Sequence, residues 1–266
     1  MNKLLRRYPV TGFYILAYAF TWSLGIPMML SQRGLIALHI PHGIEPVAAF
    51  GPFIAAMLVA RALSGRDGPR AILQSLRHWR VGTGWMAFSI LGPVVLLVIA
   101  LMAYSFIRDP QADTVADIST FTTAAGLFDL IVVAGILQSW GEEPGWRGFA
   151  LPTLRERFGP FLATLVLWPV WLCWHLPFFL SRPEFGVAQA IGFSIGILSA
   201  AIWLTLIHDR TKSVLMCLGW HAMANICRNS ALAVSTLAFL MYNNLILLTA
   251  LIITGYWFWS GRRQKS

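Results

Sequence analysis

The chain has 266 residues, of which 57% are hydrophobic and only 12% are Asp, Glu, Lys or Arg, with a formal net charge of +9. A water-soluble domain carries about a quarter charged residues, so this composition argues against an ordinary soluble enzyme and points to the bilayer. The positive excess would suit nucleic acid, but in so apolar a chain it reads as topology-setting charge, and no nucleic-acid partner is expected.

Taken in order, the uncharged runs set the elements. Val10 to Leu30, Trp85 to Ile107, Val187 to Ile207 and Ala231 to Ser260 contain no charged residue, and Pro160 to Ser181 adds only His175. About 20 apolar residues cross a bilayer core, and hydrocarbon offers no partner to a backbone polar group outside a helix. The expected fold is all-α, a polytopic integral membrane protein of about eight transmembrane helices. They cover 10–30, 46–63, 85–107, 127–151, 160–181, 187–207, 213–234 and 238–259. The first run is too long for a signal-peptide core and more spans follow it. Residues 1–266 therefore read as a single transmembrane domain, with a motif-bearing core over about 127–235.

Between the spans, basic residues alternate in density. Lys3, Arg6 and Arg7, then Arg61, Arg66, Arg70, Arg77 and Arg80, then Arg155 and Arg157, then Arg210 and Lys212, then Arg262, Arg263 and Lys265 fall on one side. The other side has Arg33, Arg108 and Arg182. The positive-inside rule places the first side, with both termini, in the cytoplasm. Trp22, Trp79, Trp85, Trp257 and Trp259 stand near span ends as interfacial anchors would. Segment 64–84 is basic, with Ile72, Leu76 and Trp79 at helical spacing; it reads either as an amphipathic helix on the cytoplasmic leaflet or as a basic loop. The compact loops suggest a bacterial plasma-membrane protein. Cys173, Cys217 and Cys227 lie in apolar segments without CxxC spacing, which suits buried thiols.

Ionisable residues inside spans are expensive and so mark function. The fourth span holds Asp129, expected to cap its outer start, and the run Gly141-Glu142-Glu143-Pro144-Gly145-Trp146-Arg147. Glu143 and Arg147 are i and i+4 and read as a structural ion pair, while Glu142 is rotated about 100° away and stays free. Trp171 and His175 share a helix face, as do His221 and Asn225. The chain turns at Phe158-Gly159-Pro160, with Glu142 and His175 nearly equidistant from that turn in sequence. In a helical hairpin both stand about 25 Å from the turn. His221 and Asn225, about 15 and 20 Å beyond the next cytoplasmic loop, complete a cluster expected in a cavity open to the cytoplasm. Pro144 removes a backbone donor and predicts a bend just after Glu143.

The chemistry such a set supports is hydrolysis. A carboxylate with an imidazole can hold and deprotonate water, and a second His with an Asn amide can donate to a developing oxyanion. Alternatively, two His and one Glu could bind Zn²⁺ and leave a position for water. Ser139 has no serine-protease context, and neither HExxH nor GxGD occurs.

At these residues the chain resembles the CAAX-protease and bacteriocin-processing (CPBP) family, which includes the type II CAAX prenyl endopeptidases and the Abi proteins. The matching motifs are Glu142-Glu143-x3-Arg147, Trp171-x3-His175 and His221-x3-Asn225. The resemblance implies an eight-helix intramembrane endopeptidase, a hydrolase often called a metalloprotease. By that likeness Glu142 and His175 activate water, His221 and Asn225 form the oxyanion site, and Glu143 and Arg147 support them. Pro144-Gly145 departs from the commoner aromatic filling of the first motif. A zinc-type cofactor stays open, with the metal-free arrangement preferred because Asn is a poor zinc ligand. The expected partners are the lipid bilayer and a membrane-associated protein or peptide substrate, and a prenylated CAAX substrate is not expected in a bacterium. The competing reading is a non-catalytic membrane scaffold or bacteriocin-immunity protein; a transporter is disfavoured because no inverted repeat of broken helices is visible. Arg228 lies outside the motifs and reads two ways, as a cation snorkelling to the outer interface or as a ligand for a substrate carbonyl or carboxylate.

Overall fold

The computed structural model describes residues 2–108, 119–183 and 185–263, and every regular element among them is helical. After a short helix Asn2–Arg7, the elements are α1 (Pro9–Gln32), α2 (Glu45–Ser64), α3 (Asp67–Arg77), α4 (Thr83–Ile107) and α5 (Ala124–Arg155). Then come α6 (Pro160–Leu180), α7 (Val187–Thr211), α8 (Val214–Val234) and α9 (Thr236–Arg263). Seven of these, all but α3 and α8, are long and apolar enough to cross a membrane. The expected spans and these helices agree within a few residues, so the protein is a polytopic membrane protein of seven to eight crossing helices. Lys265, part of the basic tail, lies outside the described residues.

α8 is 21 residues long and fails only on composition, because it carries His221, Asn225, Arg228 and Asn229. Its burial explains how it tolerates them. Eleven of its 21 residues are buried, and it packs against α3, α4, α5, α7 and α9. α4 is the opposite case: highly apolar, with only four of its 25 residues buried, and Leu91, Val95, Val98 and Met102 facing outward. Hydrocarbon is a good solvent for Leu and Val and a poor one for amides, so the apolar helix goes outside and the polar one to the centre.

The basic segment 64–84 contains a helix, α3, bracketed by Gly65 (φ +63°) and Gly82 (φ +85°), whose left-handed backbone only glycine adopts cheaply. Its apolar stripe faces protein. Leu76 packs against Val214 and Leu218 of α8, and Ile72 lies near Gly148 of α5. Ser75 locks the contact, donating to the Lys212 carbonyl at 3.2 Å and accepting from the Val214 N–H at 3.0 Å. Arg155, at the foot of α5, pairs with Asp209 of α7 at 2.9 Å and ties the same end together.

Two expectations fail locally. Asp129 does not cap α5: the helix begins earlier, and Thr123 caps it by accepting the Gly126 N–H at 3.0 Å. Trp22 is not a simple interfacial anchor, because its indole N–H donates to the Trp174 carbonyl at 3.1 Å and joins α1 to α6.

Candidate active site

α5 carries the two carboxylates and is irregular where it does so. π-type turns occupy Asp129–Leu137 and Trp146–Ala150, flanking an α-helical Gln138–Gly145. Such wide turns inside a helix recur at functional sites. The bend expected at Pro144 takes this form: the helix continues through the proline, and the turn after it widens. Gly141 and Gly145, four apart, set the helix against α2. A Cβ on Gly141 would meet the Ala49 carbonyl oxygen at 2.5 Å, and one on Gly145 would meet that of Pro52 at 2.5 Å. This small-xxx-small contact fixes α5's rotation and leaves Glu142 and Glu143 buried, at 4% and 0% exposure. The sequence reading did not single these glycines out, although their spacing is visible in it.

α6 breaks at His175, between Pro160–Trp174 and Leu176–Leu180. Pro177 has no N–H for the Cys173 carbonyl, and the turn before it tightens. The His175 N–H bonds to Leu172 O at 3.2 Å rather than to Trp171 O. The freed Trp171 carbonyl accepts the His175 side chain at Nδ1, 2.8 Å away. A carbonyl only accepts, so Nδ1 carries the proton, and the neutral ring presents the Nε2 lone pair. That Nε2 lies 3.9 Å from Glu142 Oε2. Glu142 Oε2 accepts the Trp171 indole N–H at 2.6 Å. The hairpin arithmetic thus brings the carboxylate and the imidazole together, with Trp171 holding both.

Glu143 serves a different set. Its Oε1 accepts Arg147 Nη1 at 3.0 Å and His221 Nδ1 at 2.7 Å. The Arg147 side chain is fully buried, and its guanidinium stacks 4.1 Å from the Trp171 ring centre. The ion pair was expected; the bond to His221 was not, because helical spacing rules see only partners on one helix. With Nδ1–H on a carboxylate, His221 presents Nε2 away from Glu143, and its ring stands edge-on to Trp171 at 5.9 Å. Asn225 gives one amide N–H to the Ala134 carbonyl at 3.0 Å, leaving the other uncommitted among the described residues, and its backbone carbonyl accepts the Asn229 side-chain N–H at 3.0 Å. Both His221 and Asn225 are 7% exposed.

The cavity expected to open from this cluster toward the cytoplasm is not where a large hollow lies. A hollow of about 570 Å³ sits between the first turns of α5 and the last turns of α8, lined by Thr123, Asp129, Ala134, Asn229 and Leu232 among others. No motif residue lines it; it approaches them only through Ala134 and Asn229. Among the described residues no three His, Cys, Asp or Glu side chains converge as a metal site. The run Gly192-Phe193-Ser194-Ile195-Gly196 has G-x-S-x-G spelling, a motif the sequence reading wrongly took to be absent. It lies inside the continuous helix α7 and lacks the strand-to-helix turn a serine nucleophile elbow needs.

Comparison with known proteins bears on the same residues. The family described as type II CAAX prenyl endopeptidase Rce1-like matches residues 123–227. The chain is 25% identical over 233 residues to CAAX prenyl protease 2 of Methanococcus maripaludis, covering 81% of this chain and 76% of that protein. All three motifs fall within the matched stretch, so over these residues the chain is similar to the Rce1-like, CAAX-protease side of the CPBP family.

Proposed function

We propose that the chain is an intramembrane endopeptidase that hydrolyses a peptide bond of a membrane-associated protein or peptide. The observation that carries this reading is the 3.9 Å separation of Glu142 Oε2 and His175 Nε2. Both atoms are acceptors, and a water molecule between them can donate one hydrogen to each. Glu142 takes a proton from that water as the oxygen attacks the scissile carbonyl, while His175 orients it through the second hydrogen. The oxyanion that forms is held by the free Asn225 N–H and by His221. With Nδ1 on Glu143, His221 has Nε2 left for the substrate, and it donates from there when it is the imidazolium. Glu142 then returns its proton to the leaving amine, the C–N bond breaks, and a new carboxyl group and a free amine depart. Each of these steps uses this chain's own residues, whose arrangement does not match a three-ligand metal centre.

The orientation with both termini in the cytoplasm and a plasma-membrane location belong to the same proposal. A bacterial source does not follow from the comparison, because the matched relative is archaeal, and the argument against a prenylated substrate loses its footing with it. The test is a membrane-proteome comparison of cells carrying the wild type and Glu142→Gln. Uncut precursors accumulating only in the variant support the protease. A deletion phenotype that Glu142→Gln fully rescues would instead favour a scaffold or immunity role.

A further inference from the structure

At the corner between α3 and α4 a charged surface meets an apolar one. The corner is held on two sides. A Cβ on Gly68 would meet the Ala60 carbonyl oxygen at 2.2 Å, which seats α3 on the end of α2. From the α7–α8 turn, Ser213 Oγ donates to the His78 carbonyl just past α3. The backbone that follows is drawn up tightly: the Trp79 N–H bonds to Arg77 O and the Val81 N–H to Trp79 O, each at 3.0 Å. Arg77 and Arg80 lie along these turns, and both are exposed. The Arg80 guanidinium stands 5.2 Å over the Trp79 ring, which is itself 55% exposed. Among the described residues no carboxylate pairs with either arginine, and residues 68–84 contain no Asp or Glu.

Immediately beyond Arg80 the surface turns apolar. A hollow of about 260 Å³ is lined by Gly82, Gly84, Trp85 and Phe88. Its wall is braced by rings: Trp85 meets Phe88 edge-on at 5.3 Å, Phe88 stacks on Trp203 at 5.1 Å, and Trp203 stacks on Trp220 at 5.4 Å. Gly84, Phe88, Leu91 and Val95 share one face of α4 by helical spacing, and Leu91 and Val95 are each 54% exposed. The hollow is therefore the end of the stripe that α4 turns toward lipid. Arg80 is two residues from Gly82, at most about 7 Å of chain. Water finds few partners in such a lining, whereas an alkyl chain fills it without leaving a polar group unpaired. An anion on the arginines, joined by a short linker to an alkyl chain in the hollow, has the plan of a phospholipid. A soluble anion would leave the hollow unfilled, and a zwitterionic lipid would bring its own cation to the arginines.

We propose that the α3–α4 corner binds one anionic phospholipid, with its phosphate between Arg77 and Arg80 and an acyl chain in the hollow lined by Gly84 and Phe88. The inference is independent of the endopeptidase reading. The full chain is placed in nanodiscs of equal parts phosphatidylglycerol and phosphatidylcholine and released into mild detergent, and the lipids it retains are counted by native mass spectrometry. A basic residue near an anionic lipid contributes about fivefold. The wild type therefore retains one phosphatidylglycerol, preferred roughly 10- to 30-fold over phosphatidylcholine. Arg77→Gln combined with Arg80→Gln brings that preference close to one. Arg66→Gln combined with Arg70→Gln removes as much charge from the other end of α3 and leaves the preference unchanged. Gly84→Leu fills the hollow, since a Cβ there meets nothing within 4 Å, and lowers retention of phosphatidylglycerol. All five positions are exposed, where substitutions change stability little. Equal retention of the two lipids by the wild type overturns the proposal, as does a preference that survives the loss of Arg77 and Arg80. A preference lowered as much by the Arg66 and Arg70 changes reports a diffuse surface field and overturns the site. Unchanged retention in Gly84→Leu assigns the arginines to a headgroup or free phosphate alone, and overturns it too.

Discussion

Glu142 and Glu143 are neighbours in sequence, both buried, yet neutralising one or the other is expected to give opposite defects. In Glu143→Gln the amide oxygen can still accept one bond, but the negative charge facing Arg147 and His221 is gone. Arg147 is fully buried, with Nε and Nη2 lacking any hydrogen-bond partner among the described residues. Removing one partner of a buried ion pair costs about 3–5 kcal/mol. The Trp171 face, 4.1 Å from the guanidinium, offsets up to about 2 kcal/mol of that, which leaves a destabilisation of about 1–5 kcal/mol. Glu142→Gln keeps an oxygen for the Trp171 N–H and abandons no paired cation, so its stability changes by about 1 kcal/mol or less. Its catalytic loss is larger, since a general base contributes about 10²- to 10⁴-fold. The assay is thermal unfolding of both purified variants in one detergent, set beside cleavage of a precursor found by the proteome comparison. A Glu142→Gln protein less stable than Glu143→Gln, or one that cleaves at the wild-type rate, refutes this division of roles.

Three other outcomes follow from the same geometry. Trp171→Phe keeps a ring against Arg147 but removes the N–H on Glu142, so turnover should fall about tenfold or more with a smaller change in melting temperature; unchanged turnover would mean that the 2.6 Å bond does not position the carboxylate. Stripping divalent metal with a chelator should leave activity intact and the purified protein with well under one zinc per chain, and activity lost on chelation but restored by zinc would overturn the metal-free scheme. Cysteine introduced by Arg66→Cys or Lys212→Cys should label from the cytoplasm, and by Asp113→Cys, which lies outside the described residues, from the other side; labelling of position 113 from the cytoplasm would mean that the first half has the wrong number of crossings.

Much of the fold was legible because a bilayer reduces the problem to one dimension. Length and apolarity alone locate helices when no other structure satisfies the backbone, and the eight expected spans match eight helices to within a few residues. The Glu142–His175 encounter was also legible, since one breaker at Gly159-Pro160 lies midway between them and helix rise then sets their heights. Rotation about the helix axes was not. Which way Glu143 points depends on Gly141 and Gly145 meeting α2, a contact between segments more than 90 residues apart in sequence. The bond from His221 to Glu143 depends on it too. The cavity expected around the motif residues rested on helical spacing, which shows which side chains can converge but not how tightly their neighbours close around them.

A pair of adjacent carboxylates buried in an apolar bundle would repel if both were ionised and alike in surroundings. The structure makes them unlike. Successive residues on a helix differ by about 100°, enough for Glu143 to meet a cation and an imidazole while Glu142 meets a neutral indole N–H and a second imidazole. Trp171 sits between the two sets, its N–H on Glu142 and its π face on Arg147. Arg147 thereby bonds Glu143, and Glu142, bonded there by a neutral N–H, is the carboxylate proposed to take the proton. The aromatic four residues before His175 therefore has a chemical role distinct from filling space. It stands between the carboxylate bonded to Arg147 and the one proposed to react.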